Sequence, residues 1–157
     1  MMDEKKLAII ATKGTLDWAY PPLILASTAA ALGYETQIFF TFYGLQVLRK
    51  DLSHLRVSPL GNPAMPMPVP MPNLVQILPG MEAMATMMMK NKMKAKGVAS
   101  LEDLRELCIE ADVRMIACQM TVDLFEFDKG DFIDGVEYGG AAMFFEFAGE
   151  SDICLYI

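Results

Sequence analysis

Five short runs, each too short for a helix of ordinary length, constrain this chain most. "KLAIIAT" has charge before it and Lys13-Gly14 after it, the pattern of a strand buried on both faces inside a parallel sheet. "ETQIFFTFYG", β-branched and aromatic and closed by Gly44, predicts a second strand. "DVRMIACQ" predicts a third, "GVEYGG" a short one ending in two glycines, and "DICLYI" a buried terminal one. Helical patterns fall between them. "PPLILASTAAALGY" places Pro21 and Pro22 in a first turn, where a missing N–H costs little, and Gly33 at the stop. "LQVLRKDL" predicts a short helix. Ser100 is an N-cap for Leu101, Leu104, Leu107, Cys108 and Ala111 at helical spacing, and "MTVDLFEF" and "AAMFFEFAG" predict two more helices. Such alternation implies an α/β fold of the flavodoxin-like, doubly wound class: a three-layer sandwich around a mostly parallel sheet of about five strands.

At 157 residues the chain fits a single domain, 1–157, able to bury a core without disulfides or a structural metal. One region, about 57–97, breaks the pattern and reads as a helical insertion rich in Met and Pro. From Arg56 to Gly97 it holds seven of the nine prolines and nine of the fourteen methionines. The uncharged stretch Val57–Met81 is long enough to cross a bilayer, but its prolines exclude a regular spanning helix. A net charge of −7 opposes broad attraction to nucleic acid. Three irregularly spaced cysteines, Cys108, Cys118 and Cys154, spell neither a disulfide framework nor a CxxC site, and "MMDEKK" begins no signal peptide. The expected compartment is a reducing cytoplasm.

Ligand chemistry in doubly wound sheets gathers at the carboxyl ends of the strands. That rule nominates Thr12, Lys13, Gly14, Tyr43, Gly44, Cys118 with Gln119, Gly139 and Gly140 as neighbours around one crevice. Free cysteines are usually buried core residues, and Cys108 and Cys154, both in apolar settings, keep that reading. Cys118 ends a strand and begins a helix, so its sulfur lies near unpaired amides that favour the reactive thiolate. "ATKGT" matches no phosphate-binding motif, and Lys13 reads as a solvated loop residue that would favour an anionic sulfur if it faced the crevice. His54, the single histidine, reads as solvated, and no metal set is present at usable spacing.

"AIIATKGTLDWAYPPLILASTAAALGYE", "IFFTFYGL", "GNPAMPMPVPMPN", "LPGMEAMATMMM", "IACQMTVDLF" and "DGVEYGGAAMFFE" together resemble the DsrE-like (DsrE/DsrF/DsrH-like) family of small sulfur-trafficking proteins. The pairing of ACQM after a strand with the Met-Pro segment carries most of the likeness. The resemblance implies a flavodoxin-like fold, homo-oligomers, and transfer of sulfane sulfur as a persulfide on the residue matching Cys118. It also implies partners among rhodanese-like donors and TusA-like carriers, and no cofactor. Other readings stay open: a peroxiredoxin-like thiol redox protein, which a resolving cysteine would help, or a non-catalytic module holding a small ligand in the crevice. The methionines Met81, Met84 and Met88, at i, i+3, i+7 spacing and widened by Met87 and Met89, predict a helix. Carried by the extended "MPMPVPMP" arm, it would cover the Cys118 crevice or bridge subunits. Peripheral contact with anionic lipid through Lys90, Lys92, Lys94 and Lys96 is the second expectation for it.

Overall fold

Residues 3–58, 74 and 77–157 are described by a computed structural model, in which strands β1 (Lys6–Ala11), β2 (Glu35–Phe40), β3 (Arg114–Cys118), β4 (Glu137–Gly139) and β5 (Ile153–Tyr156) form one sheet. Every neighbouring pair is parallel, in the order β4-β3-β2-β1-β5. The helices are α1 (Leu16–Ala31), α2 (Met81–Ala95), α3 (Leu101–Glu110), α4 (Gln119–Leu124) and α5 (Ala141–Ala148). The expectation of an α/β fold around a parallel sheet of about five strands therefore holds, while the strand order differs from the 2-1-3-4-5 of a flavodoxin-like sheet. The "MPMPVPMP" arm lies outside the described residues.

The connections decide where chemistry can sit. From β1 to β4 each step moves the same way across the sheet, and the step to β5 returns. Right-handed crossovers then put α1, α3 and α4 on one face and α5 on the other. Phe144 of α5 meets Phe39 of β2 at 5.5 Å between ring centres, which fixes the α5 face. On the opposite face Cys108 of α3 donates its S–H to the Leu23 carbonyl of α1 at 3.4 Å. Neighbouring β3 and β4 thus send their chains to opposite faces, and Cys118 pairs with Gly139 where they part. Strands that diverge in this way leave a crevice at their carboxyl ends.

Ile9, Ile38, Phe40, Leu23, Leu45 and Leu101 are among the fully buried core side chains. Ser100 caps α3 as its sequence implies, accepting from the Asp103 amide at 3.1 Å. Gln37 is buried on the α5 face, and no group among the described residues bonds its side-chain amide.

Three expectations need correction. Helix α1 begins at Leu16, with Thr15 at the N-cap position, so Pro21 and Pro22 lie inside it rather than in its first turn. Burial of Leu16 and Ala19 favours the additional turn, although each proline removes a hydrogen bond. Strand β2 stops at Phe40, and Phe42–Leu48 form a 3-10 segment in place of an α-helix over "LQVLRKDL". The buried Arg105 of α3 ends that segment by donating to the carbonyls of Val47 (2.8 Å) and Arg49 (2.6 Å). Strand β5 is an edge, paired only with β1, so Cys154 is exposed rather than buried. Helix α2 buries Ala85 and Thr86 and half-buries Met89 and Met93, while Met84, Met87 and Met88 face solvent. The Thr86 hydroxyl accepts the Val57 amide at 3.0 Å and fixes that orientation.

Candidate functional site

Cys118 is the last residue of β3 and the N-cap of α4, with the residue only 5 % exposed. No capping hydrogen bond of ordinary geometry closes on its sulfur. Burial alone would push the thiol up, but the Thr121 amide and hydroxyl, the Thr41 hydroxyl and the Met120 amide together outweigh it, and the net direction is down from the ordinary thiol value. These donors come from two strand ends. Thr41 follows β2, and its hydroxyl lies 3.4 Å from that of Thr121 in α4. Thr121 also accepts the Phe42 amide at 3.1 Å, holding Phe42 in the left-handed region at φ 48°.

The strand-end residues divide into two neighbourhoods. Gly139 is level with Cys118 across β3 and β4, and a Cβ there would strike the Met143 side chain of α5, so glycine lets α5 pack close. Gly140, exposed, caps α5. Gln119 turns its amide to the Asp123 carboxylate at 2.8 Å. The loops after β1 and β2 interlock instead, since a Cβ on Gly14 would strike the Tyr43 carbonyl and one on Gly44 the Ala11 carbonyl. Around them opens a cleft of about 370 Å³ lined by Lys13, Gly14, Thr15, Trp18, Tyr43 and Gln46 with Ser58, and Cys118 is not among its walls. Lys13 places its ammonium over the Trp18 ring, 3.3 Å from the centre. Thr12 is taken up elsewhere, its amide and hydroxyl both donating to the Ile157 carbonyl. Tyr43 joins the two neighbourhoods, lining the cleft and stacking on Phe125 beyond α4.

None of the groups acting on the Cys118 sulfur comes from α2. That helix instead closes a groove of about 380 Å³ over Leu16, Tyr20 and the start of α3. The other cysteines are unlike Cys118: burial pushes the Cys108 thiol up to about 11, and Cys154 is exposed at the sheet edge. His54 is exposed, with its ring nitrogens at 2.9 Å from the Asp51 carbonyl and the Gln46 side chain. Sequence reasoning missed Thr41 and Thr121. For Thr121 a signal existed, since it stands three residues after the capping Cys118, the spacing at which a side chain can face back on an N-cap.

The model of the DsrE/DsrF/DrsH-like family matches residues 3–156. The chain belongs to this family. Among members, it is 73% identical over 160 residues to the sulfur carrier protein DsrE2 of Allochromatium vinosum, covering 99% of this chain and all of that one. It is 31% identical over 157 residues to the uncharacterized protein YrkE of Bacillus subtilis, covering 98% of this chain and 97% of that protein. The crystal structure of the ychN protein from E. coli superposes with a TM-score of 0.55 at 11% identity, over 98% of this chain and 99% of that one, and supports the fold. A DsrE-like sheet with a hydroxyl-rimmed cysteine at the divergence of β3 and β4 can hold a thiolate and screen it from bulk solvent.

Proposed function

We propose that the chain is a sulfur carrier that holds sulfane sulfur as a persulfide on Cys118. The observation that carries this reading is the set of hydroxyl and amide donors that favours the thiolate on a largely buried cysteine. The near-identical length and 73% identity shared with a protein named a sulfur carrier add to it. In the step proposed, the Cys118 thiolate attacks the outer sulfur of a donor's protonated persulfide. The donor's S–S bond breaks, its inner sulfur leaves as a thiolate with the bonding pair, and the proton stays on the transferred sulfur. Nothing is oxidised or reduced overall, and no cofactor takes part. An acceptor thiolate reverses the exchange.

Rhodanese-like donors and TusA-like acceptors in a reducing cytoplasm are the partners this chemistry suits. We also propose a homo-oligomer, because α1 carries only one charged residue, Asp17, and leaves Ile24 and Leu25, with the Leu32 that follows its last turn, exposed.

The peroxiredoxin-like alternative lacks a resolving cysteine within the chain. Cys108 is buried and protonated at neutral pH. Cys154 lies on β5, three strands from β3, so about 14 Å of sheet separates it from Cys118, well beyond the span of a disulfide.

Intact mass measured after incubation with sodium polysulfide tests the proposal. Increments of sulfur are expected on the wild type and on Cys108→Ser and Cys154→Ser proteins, and none on Cys118→Ser. Persistence of loading in Cys118→Ser overturns it.

A further inference from the structure

We infer that the aromatic surface beside Cys118 docks a partner protein whose own cysteine sits at an apolar spot rimmed by lysine or arginine. This rests on the sulfur-carrier reading and names the chemistry of the partner. Tyr43 and Phe125 stack at 5.9 Å with their planes 22° apart. Phe42 meets both edge-on at 6.3 and 6.2 Å. These rings are outside the protein, with Tyr43 62 % and Phe125 39 % exposed, and Met120 and Leu124 widen the patch. They are also braced from inside, because Phe125 packs on Phe127 and Phe127 on the buried Phe132. A rigid, exposed aromatic cluster is the composition of a binding centre rather than of ordinary surface.

Charge selects a protein with basic surroundings. Asp123, Glu126 and Asp128 interleave with the apolar residues of "DLFEFDKGDF", while Asp131 is paired with Arg49 at 3.6 Å and Lys129, the one lysine of the stretch, lays its ammonium over the Tyr138 ring. An apolar centre with an acidic rim steers and seats a basic-rimmed face. The patch is also tied to the thiol. Phe42 and Glu126 are both non-glycine residues in the left-handed region, at φ 48° and 53°, a conformation that L-residues disfavour. Thr121 holds Phe42 there while acting on the Cys118 sulfur, so the patch and the thiol share one anchor.

The test uses two synthetic peptides of equal length, each bearing one cysteine persulfide beside a leucine. One is flanked by lysines and arginines, the other by glutamates. Sulfur loading of the full chain is followed by intact mass, with sodium polysulfide as a donor too small to need the patch. At low salt the basic peptide is expected to load the wild type about tenfold faster than the acidic one, and the gap narrows at high salt. Leu124→Ser and Phe125→Ser should slow the basic peptide several-fold, and Asp123→Lys with Glu126→Lys should reverse the preference. Polysulfide should load the Leu124→Ser and Phe125→Ser variants at the wild-type rate, with circular dichroism unchanged in every variant. Equal rates for the two peptides on wild type, or equal slowing of peptide and polysulfide in the variants, overturns the docking surface and leaves the carrier reading standing. If polysulfide fails to load the wild type at all, the carrier reading falls and takes the docking surface with it.

Discussion

Thr121 is the residue on which the site turns. Its hydroxyl accepts the Phe42 amide, lies beside Thr41 and favours the Cys118 thiolate. Thr121→Val keeps the shape and removes the hydroxyl. The Phe42 amide is then left without its acceptor, which costs about 1–3 kcal/mol, and urea unfolding should report that loss. The midpoint of Cys118 alkylation against pH, followed by peptide mapping, should move up, because a donor to the thiolate has gone. Cys108 makes the opposite demand. Its folded value is about 11, above the roughly 8.5 of a free thiol, so the folded state keeps a proton that the unfolded state releases. Stability from this group is complete below about 8.5 and is lost as pH rises towards 11. Cys108→Ala should remove that part of the alkaline loss in urea titrations run at pH 8 and 10. Sequence position alone separated Cys118 from Cys108, because a strand end followed by a helix differs from the middle of an apolar helical face. It misjudged Cys154, because an apolar run does not reveal whether its strand lies at the centre or the edge of a sheet.

At the scale of elements, the strands and most helices were legible because short apolar runs bounded by charge or glycine, and helical spacing, survive in single sequences. Boundaries set by tertiary contacts were not. The 3-10 segment after β2 ends where Arg105, more than fifty residues later in the chain, caps its carbonyls. The methionine stripe of α2 was visible, yet its orientation was not, since Thr86 and the Val57 amide decide which side docks. With Met84, Met87 and Met88 outward and Lys90, Lys92, Lys94 and Lys96 exposed, α2 presents an apolar and basic surface to whatever adjoins it. No helix among the described residues is long and apolar enough to cross a membrane, so any lipid contact through α2 would be peripheral. Flotation with anionic liposomes at physiological salt measures it. Binding is expected to weaken when Lys90, Lys92 and Lys94 become Gln, and wild type remaining wholly in the aqueous fraction would exclude the contact.

For the whole molecule, the outer side of α1 sets the expectation. Ile24 and Leu25 are exposed on a helix that is apolar nearly all round, Leu32 just past its end is exposed as well, and such surface ordinarily belongs to an interface. Sedimentation at micromolar concentration should show an oligomer, and Leu25→Glu should shift it towards the monomer; a wild-type monomer would remove the proposal. The sheet order could not be read from the sequence, yet it places Cys118 where neighbouring strands part and leaves Cys154 on a remote edge. The shared hydroxyl of Thr121 has a consequence for how such a protein can change over generations. Under the proposed docking, a lineage that replaced Thr121 would free the Phe42 backbone and remove one of the donors to the sulfur in a single substitution. Recognition and reactivity would then drift together, and grafting a relative's docking face onto this chain without its threonine would carry over the recognition and give up part of the acidity.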